Sequence, residues 1–388
     1  MIRQLFRGGL VSLGLCTSMP AQGTIGEIKL DLALRVPATV ANLGSVGTFL
    51  HSRDGGLAIV DFDANGIRFF SPSGAETGVF GRRGEGPGEF RTLNSIGWVG
   101  DTLWVSDYGL RRITFISPSR KLIRIAPFPI VKPPVDELGV VFSSATISAV
   151  YPDGSLALSV PFARVSKLPE WASGHTLRDI PTLRFSSARS RIWAIGWIPS
   201  SELCDVRYET SNGFGAVGIP FCEPSLWGNS PDGSVFAAVE IGPIAKGEDT
   251  YHVVVTTSSG KRLFSRDYGF VPRLIPARIA DSVGQRIKSR LRDDPAGLRA
   301  YSSVQLPYAY PPLRTLLVGS DSTLWLEQRT SGDTHRWIAL NTNGTPVGTF
   351  ELPHNTALVA ADRRSIWVTE MNEDGVMGWA RFTTNRKQ

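Results

Sequence analysis

The chain has 388 residues, of which 42% are hydrophobic and 20% are charged, and its formal net charge is +6. This balance excludes an intrinsically disordered chain, and the mild, dispersed positive charge argues against a nucleic-acid-binding protein. Ten tryptophans, 40 glycines and 26 prolines favour many short strands joined by tight turns.

The first predicted element is a secretory signal peptide over residues 1–21. Two arginines precede the apolar run GGLVSLGLC, which ends at Cys16, and small residues follow it. The run is shorter than the ~20 residues that a membrane-spanning helix needs, and no later run reaches that length. Cleavage after Ala21 therefore predicts an exported protein, periplasmic or secreted, without a transmembrane segment. Lipid attachment at Cys16 is disfavoured because Leu15, which is not a small residue, precedes it.

One pattern then recurs six times: a turn with an acid, glycine or serine is followed by a short apolar strand. The copies begin at residues 53, 99, 152, 231, 320 and 362 and read RDGGLAIVD, VGDTLWVSD, PDGSLALSV, PDGSVFAAV, SDSTLWLEQ and DRRSIWVTE. In most copies a later strand ends in a polar turn, such as FFSPSGAE or ALNTNGTP. Each repeat therefore predicts four antiparallel strands, with tight turns after the first and third.

Six such units predict an all-β fold, a six-bladed β-propeller with four-stranded antiparallel blades around a central channel. The sixth copy supplies only three strands, and the segment EIKLDLALRV at 27–36 can supply the missing outer strand. We therefore expect residues 22–388 to form one domain closed by the strand 27–36, with insertions at about 161–188 and 269–312. A β-sandwich is the alternative, but it does not explain six like units and a complementary missing strand.

The stretch GRRGEGPGEF, from Gly81 to Phe90, has four glycines and invites comparison with a phosphate-binding loop. A Walker loop needs Gly-Lys-Ser/Thr before a helix, but here Gly88 is followed by Glu89. The next residues, RTLNSIGWV, are typical of a strand, whereas a dinucleotide fingerprint needs a helix at this point. The stretch is therefore predicted to link the outer strand of blade 1 to the inner strand of blade 2, with Phe90 packed between the sheets.

Together with IGWVGDTLWVSDYGLRRITFISPSRKLIR, which lies after it in the chain, this stretch resembles an NHL-type repeat. The whole chain resembles the bacterial exported six-bladed β-propeller proteins that share a GxGPGEF element. The resemblance is good over 81–127, weaker in blades 5 and 6, and poor over 161–225 and 269–312. It implies a propeller fold and often a binding role, and it carries no defined catalytic residues.

The connections after the second and fourth strands of each blade are the long ones, and they lie on one face of a propeller. Long loops on a rigid scaffold usually carry function, so we expect binding on this loop-rich face. Within it, residues 277–292 predict an amphipathic helix over the channel mouth, with a basic face and an apolar stripe. A membrane-surface helix is the alternative, but the stripe is narrow and lacks aromatic residues.

Two groups of residues on this face are candidate ligand-binding residues. The first is a set of arginines that suit an anionic ligand: Arg82, Arg83, Arg91, Arg111 and Arg112. The alternative is that they are solvated charges paired with Glu85, Glu89 and Asp107. The second group is Tyr308 and Tyr310 in LPYAYPP, which could stack on a sugar or peptide, or else pack against the neighbouring prolines.

The sequence predicts no metal and no cofactor. The five histidines show no metal-ligand spacing, and Asn94, Asn229 and Asn355 form a poor calcium site without a carboxylate. There is no Gly-x-Ser-x-Gly elbow. We therefore expect a monomeric ligand- or protein-binding module whose partner is an unidentified protein or a small anionic or carbohydrate ligand. A hydrolase or lyase at the channel mouth, similar to six-bladed lactonases, is the alternative.

Cys204 and Cys222 are the only cysteines after the predicted signal peptide. The segments that carry them flank SNGFG, a good turn signal, and an oxidising compartment would allow them to pair. The alternative is two unpaired buried thiols, and the sequence does not decide between the two.

Overall fold

A computed structural model describes residues 25–52, 54–128, 140–141, 145–160, 164–165, 179–189, 191–199, 204–211, 213–247, 249–330 and 332–386. The predicted signal peptide, with Cys16, lies outside these residues, as does much of the predicted insertion at 161–188. Of the helices in the described ranges, none is both long and apolar enough to cross a membrane.

Six four-stranded antiparallel sheets form a propeller, which confirms the predicted fold class. The strand β1 (Ile28–Val36) and the short helix α1 (Ala38–Ala41) precede the first blade. Blade 1 contains β2 (Val46–His51), β3 (Leu57–Asp61), β4 (Gly66–Phe70) and β5 (Glu76–Phe80). Blade 2 contains β6 (Leu93–Val99), β7 (Thr102–Asp107), β8 (Arg112–Ile116) and β9 (Leu122–Pro127).

Two small additional sheets accompany the middle blades: one contributes a strand within blade 3, and the other lies between blades 3 and 4. The strand β10 (Val140–Val141) pairs with β13 (Arg164–Val165). Blade 3 contains β11 (Thr146–Val150), β12 (Leu156–Ser159), β14 (Ile180–Ser186) and β15 (Arg191–Ile198). A hairpin of β16 (Asp205–Thr210) and β17 (Gly213–Gly218) comes next. Blade 4 contains β18 (Leu226–Asn229), β19 (Val235–Glu240), β20 (Thr250–Thr257) and β21 (Arg262–Gly269).

Two helices separate blade 4 from blade 5: α2 (Ala277–Arg290) and α3 (Pro295–Ser302). Blade 5 contains β22 (Leu313–Val318), β23 (Leu324–Gln328), β24 (Thr334–Leu340) and β25 (Pro346–Pro353). The last blade contains β26 (Thr356–Ala361), β27 (Ser365–Met371), β28 (Met377–Arg386) and, as its outer strand, β1. The chain's first described strand thus completes its last blade.

The six repeat copies form the turn before the second strand of each blade and that strand itself. The acids of these turns cap their own backbone. Asp153 accepts hydrogen bonds from the N–H and hydroxyl of Ser155, and Asp232 and Asp321 accept the equivalent bonds from Ser234 and Thr323. Such side-chain caps hold a tight turn without a long loop. The recurring acid is therefore a structural feature.

The stretch GRRGEGPGEF lies between β5 and β6 and forms the predicted linker between blades. Phe90 is fully buried in a core cluster that both blades share. Gly81 has a φ of +94°, and a Cβ there would lie 2.3 Å from the Phe90 ring. Both the backbone conformation and the close ring therefore require glycine at this position.

The predicted helix over 277–292 is confirmed as α2, and a second helix, α3, which the sequence analysis did not predict, follows it in the insertion before blade 5. The sequence Asp293-Asp294-Pro295 ends one helix and also begins another. Asp294 caps α3 by accepting a hydrogen bond from the Gly297 N–H, and Pro295 occupies the first turn, where a missing N–H costs nothing. The apolar stripe of α2 is only half-buried.

Candidate functional site

A pocket of about 290 Å³ opens at one end of blade 5. Its residues come from the segment before β22, the start of β22, the connection between β23 and β24, and the residue after β25. Because neighbouring strands are antiparallel, these positions share the loop-rich face. The pocket is lined by Arg273, Tyr310, Arg314, Gln328, Arg329, Thr330, Gly332, Thr334, His335 and His354.

Three arginines supply most of the charge in this pocket, and each is held by a different partner. Arg273 donates to the Thr330 carbonyl at 2.8 Å, and its guanidinium lies 5.0 Å from the centre of the Tyr310 ring. Arg329 forms an ion pair with Glu223 at 3.2 Å. Arg314 lies beside the carboxylate of Glu327, with 3.7 Å between Nε and Oε1. The three side chains are thereby held at the wall of the pocket.

A carboxylate and two histidines form a continuous hydrogen-bonded chain at the back of the pocket. His335 Nδ1 contacts the Glu327 carboxylate, and His335 Nε2 lies 2.7 Å from His354 Nδ1. His354 Nε2 lies 2.8 Å from the Gly332 carbonyl oxygen. The side chains of Glu327 and His335 are only 9% and 12% exposed, whereas His354 is exposed. We call Glu327, His335 and His354 the relay.

Glu327 departs from the repeat pattern. The equivalent position in the second strands of the other five blades carries an uncharged residue: Val60, Ser106, Ser159, Ala238 and Thr369. A buried carboxylate is unfavourable unless it has hydrogen-bond or charge partners, and here His335 and Arg314 provide them. Sequence reasoning missed the relay and its neighbouring arginines, but this deviation was a signal that could have pointed to blade 5.

The predicted arginines of blades 1 and 2 lie at a different place, around the linker GRRGEGPGEF. Arg82 pairs with Glu89 at 2.8 Å, and Arg91 pairs with Glu85. The Gly86 N–H and the Arg82 guanidinium hold the pKa of the Glu89 carboxyl below its usual value. Arg112 donates to the carbonyls of Glu85 at 2.9 Å, Gly86 at 2.7 Å and Glu89 at 2.6 Å. These side chains thus fasten the linker.

Asp107, the third acid expected to pair with these arginines, accepts backbone N–H bonds from Arg91 and Thr92 instead. Arg83 pairs with Phe90 through its backbone. Arg111 adopts a left-handed conformation with a φ of +49°, and its carbonyl accepts the Phe128 N–H. A ligand-binding role for the five arginines therefore stays a prediction.

The two predicted tyrosines differ in their surroundings. Tyr308 is half-buried against the core cluster that blades 4 and 5 share. Tyr310 lines the pocket and makes an edge-to-face contact with Phe221, with ring centres 5.6 Å apart. Of the seven predicted ligand-binding residues, Tyr310 is therefore the one that lines this pocket.

A disulfide between Cys204 and Cys222 joins the ends of the hairpin β16–β17, with Cα atoms 5.3 Å apart. This settles the question that the sequence left open. The residues on either side of Cys222 reach the pocket: Phe221 packs on Tyr310, and Glu223 pairs with Arg329. The disulfide thus anchors one wall of the pocket to the hairpin.

The hairpin is also attached to the helical insertion. The Tyr208 hydroxyl donates to the Asp294 carboxylate at the start of α3. This hydrogen bond is the main cause that raises the pKa of Tyr208 and lowers the pKa of Asp294. The hairpin and α3 are therefore joined to each other on the loop-rich face, next to the pocket.

No family model matches the sequence, and no curated protein matches it either. Solved structures are similar to this chain at low sequence identity. A member of the DUF4221 family from Bacteroides vulgatus is 12% identical, with a TM-score of 0.49 over 94% of this chain and 100% of that chain. A catalytically inactive virginiamycin B lyase from Staphylococcus aureus, crystallised with quinupristin, is 12% identical, with a TM-score of 0.40 over 92% and 99%. The calcium-binding protein regucalcin from Agrobacterium tumefaciens is 10% identical, with a TM-score of 0.38 over 92% and 96%.

Proposed function

We propose that this protein binds a small organic anion, with two or more carboxylate or phosphate groups, in the pocket of blade 5. The observation that carries the proposal is the convergence of Arg273, Arg314 and Arg329 from three separate segments of the chain. Guanidinium groups form charge-assisted, often bidentate hydrogen bonds with carboxylates and phosphates. Convergence from distant segments is typical of a binding site, whereas local pairing is typical of a solvated surface.

The charge balance of the pocket also supports an anionic ligand. Three guanidinium groups face two carboxylates, those of Glu223 and Glu327, so one positive charge remains even before the histidines are counted. Within the described residues, Arg329 Nε is buried and has no hydrogen-bond partner. A buried donor without a partner is unfavourable, and an anion in the pocket would supply an acceptor near it.

The size of the pocket favours a small molecule. A volume of about 290 Å³ lies at the lower end of the range of about 300–1,000 Å³ that is usual for small-molecule pockets. Tyr310 provides one aromatic wall, which suits the carbon skeleton of an organic anion. We also propose that the protein is exported, since its disulfide is of the kind that persists in oxidising compartments and its N-terminal sequence is typical of a signal peptide.

The alternative function, a hydrolase or lyase at the channel mouth, needs a general base with a free nitrogen or oxygen that faces the substrate. At this pocket, the relay is the candidate for such a base. Its four ring nitrogens, however, all have protein partners. Binding therefore explains the geometry with fewer rearrangements than catalysis does.

The proposal is tested by calorimetry with citrate, tricarballylate and fructose 1,6-bisphosphate, with glucose as a neutral comparison. We expect at least one anion to bind and glucose not to bind. Because a charge-assisted hydrogen bond contributes about 1.5–3 kcal/mol, Arg314→Ala combined with Arg329→Ala should weaken binding more than tenfold.

A matched control removes two arginines from the same face. Arg82→Ala combined with Arg91→Ala should leave the affinity unchanged, because those side chains pair with carboxylates of the blade linker. If only this control variant loses binding, the ligand site lies at the linker and the proposal for blade 5 is wrong. Absence of binding by every anion would also contradict it.

A further inference from the structure

The shortest hydrogen bonds of the relay indicate the number of protons on its two histidines. They join ring nitrogens of His335 to Glu327, of His335 to His354, and of His354 to the Gly332 carbonyl. Two further contacts are longer: His335 Nε2 lies 3.3 Å from the His354 carbonyl oxygen, and Arg314 Nη1 lies 3.5 Å from His335 Nδ1. The carboxylate and the carbonyl are acceptors only, so each needs an N–H. The contact between the rings needs one more. Three protons on two imidazoles give the pair one positive charge, because two neutral imidazoles carry only two.

This charge has both favourable and unfavourable neighbours. The Glu327 carboxylate on β23 favours it, and the Glu351 carboxylate on β25 accepts a hydrogen bond from the adjacent Thr334. Arg314 on β22 opposes it, since its Nη1 lies 3.5 Å from His335 Nδ1. Arg273 and Arg329 line the same pocket and oppose it as well. An anion bound to the arginines would offset this repulsion.

We infer that the histidine pair sets the charge selectivity of the pocket: it holds one shared proton when a dianion is bound, and the preference for dianions weakens as that proton leaves. The inference rests on the proposed function and specifies its ligand class. With the proton, the three arginines, the carboxylates of Glu223 and Glu327 and the histidine pair carry two positive charges, which matches a ligand with two negative charges. Glu351 is not counted because it is exposed, so solvent and salt screen its charge. Without it, one positive charge remains.

The direction of the pH dependence is set by linkage. An anion favours the protonated pair, so the protein takes up protons on binding over the range in which the pair is partly deprotonated. Binding should therefore be tight at low pH and weaken as the pH rises through this range.

The test uses ethane-1,2-disulfonate and ethanesulfonate, whose charges do not change between pH 5.5 and 8.5. Loss of one nearby charge should weaken binding of the dianion about tenfold over this range, equivalent to about 1.4 kcal/mol. The monoanion interacts with half the charge, so its affinity should fall only about threefold. Calorimetry in two buffers with different ionisation enthalpies should show uptake of up to one proton per dianion.

His354→Gln is the variant of choice, since His354 is exposed and its loss should leave the fold intact. We expect it to abolish the difference in pH dependence between the two probes. His252→Gln is the matched control, because His252 lies on β20 of blade 4 beside Asp267 and outside the pocket. It should behave as the wild-type protein does.

The outcomes separate the two proposals. Dianion binding that needs Arg314 but has the same affinity at pH 5.5 and 8.5 overturns the inference and leaves the proposed function intact. A pH dependence that persists in His354→Gln also overturns it. If neither sulfonate, nor any anion of the earlier panel, binds at any pH, the proposed function itself fails.

Discussion

The strand β1 should stabilise the whole propeller, because it joins three blades. It pairs with β28 from Ile28–Arg386 to Val36–Trp379, and it forms the outer strand of the last blade. Ile28 packs in a core cluster with residues of blade 5, and Val36 packs in another with residues of blade 1. Both side chains are only 4% exposed.

The effect of truncating these side chains can be worked out from the atoms removed. Ile28→Ala deletes three buried carbons and Val36→Ala deletes two, at about 0.8 kcal/mol each before any cavity is counted. With cavities, we expect losses of about 3 and 2 kcal/mol. The two positions lie at opposite ends of β1 and belong to different clusters, so the losses should add to about 5 kcal/mol. Such a loss is a large fraction of a typical folding free energy.

Urea unfolding, followed by tryptophan fluorescence and circular dichroism, measures this loss. At about 3 kcal/mol per molar urea, the midpoint of the double variant should fall by about 1.7 M. Leu32→Ala is the matched control on the same strand: Leu32 is 50% exposed, and its truncation should cost less than about 1 kcal/mol. A double variant whose midpoint equals that of Leu32→Ala would refute the reasoning. So would a truncation without residues 27–36 that melts at the wild-type temperature.

Three further predictions concern the disulfide, a buried histidine and metal. Replacement of Cys204 and Cys222 by serine should destabilise the hairpin by about 3 kcal/mol, the effect expected for a closed loop of this length. It should also lower anion affinity, because the neighbours of Cys222 contact residues of the pocket. Hydrogen exchange of β16–β17 measures the first effect, and unchanged exchange would contradict it. Burial lowers the pKa of His51, which stacks on Trp367, from its ordinary value of 6.5. Just below pH 6.5, the His51 side chain of the unfolded chain therefore binds more protons than that of the folded chain. The contribution of His51 to the free energy of unfolding should be constant above that pH and fall below it. The urea midpoint should drop between pH 7.5 and 5.5, and His51→Gln should reduce this drop. Finally, no group of three metal-ligating side chains occurs in the part of the chain that the structure describes, so we expect elemental analysis of chelator-free protein to find less than one equivalent of calcium or zinc.

The fold could be predicted from the sequence because its signals are local and repeated. In five of the six blades, the second strand comes after a turn whose acid accepts a hydrogen bond from its own backbone, and such a turn can be recognised within nine residues. The linker around Phe90 could be predicted equally well, since its glycines and the next strand are contiguous in the sequence. The second inserted helix could not be predicted, because Asp294-Pro295 both stops α2 and starts α3. A stop signal carries no information on the conformation of the residues after it.

The pocket could not be predicted in the same way. Its arginines lie at 273, 314 and 329 and its histidines at 335 and 354, and only the pairing of the blade 5 strands and the fold of the insertion before them fix their distances. The predicted arginines, in contrast, lie close in sequence to their partners: Arg82 and Arg91 are within seven residues of Glu89 and Glu85. Such proximity in sequence indicates local pairing as readily as ligand binding, and the structure shows the pairs.

The repeats themselves offer a way to separate structural acids from functional ones. Asp153, Asp232 and Asp321 occupy the same place in their turns and make the same bonds, so the fold alone explains them. Glu327 lies at a second-strand position where the other five blades carry no charge, and no turn or cap requires it there. Its only described partners are His335 and Arg314, which both line the pocket. A charged residue that breaks the repeat, and whose partners all lie at one cavity, is therefore better explained by a ligand than by the blade.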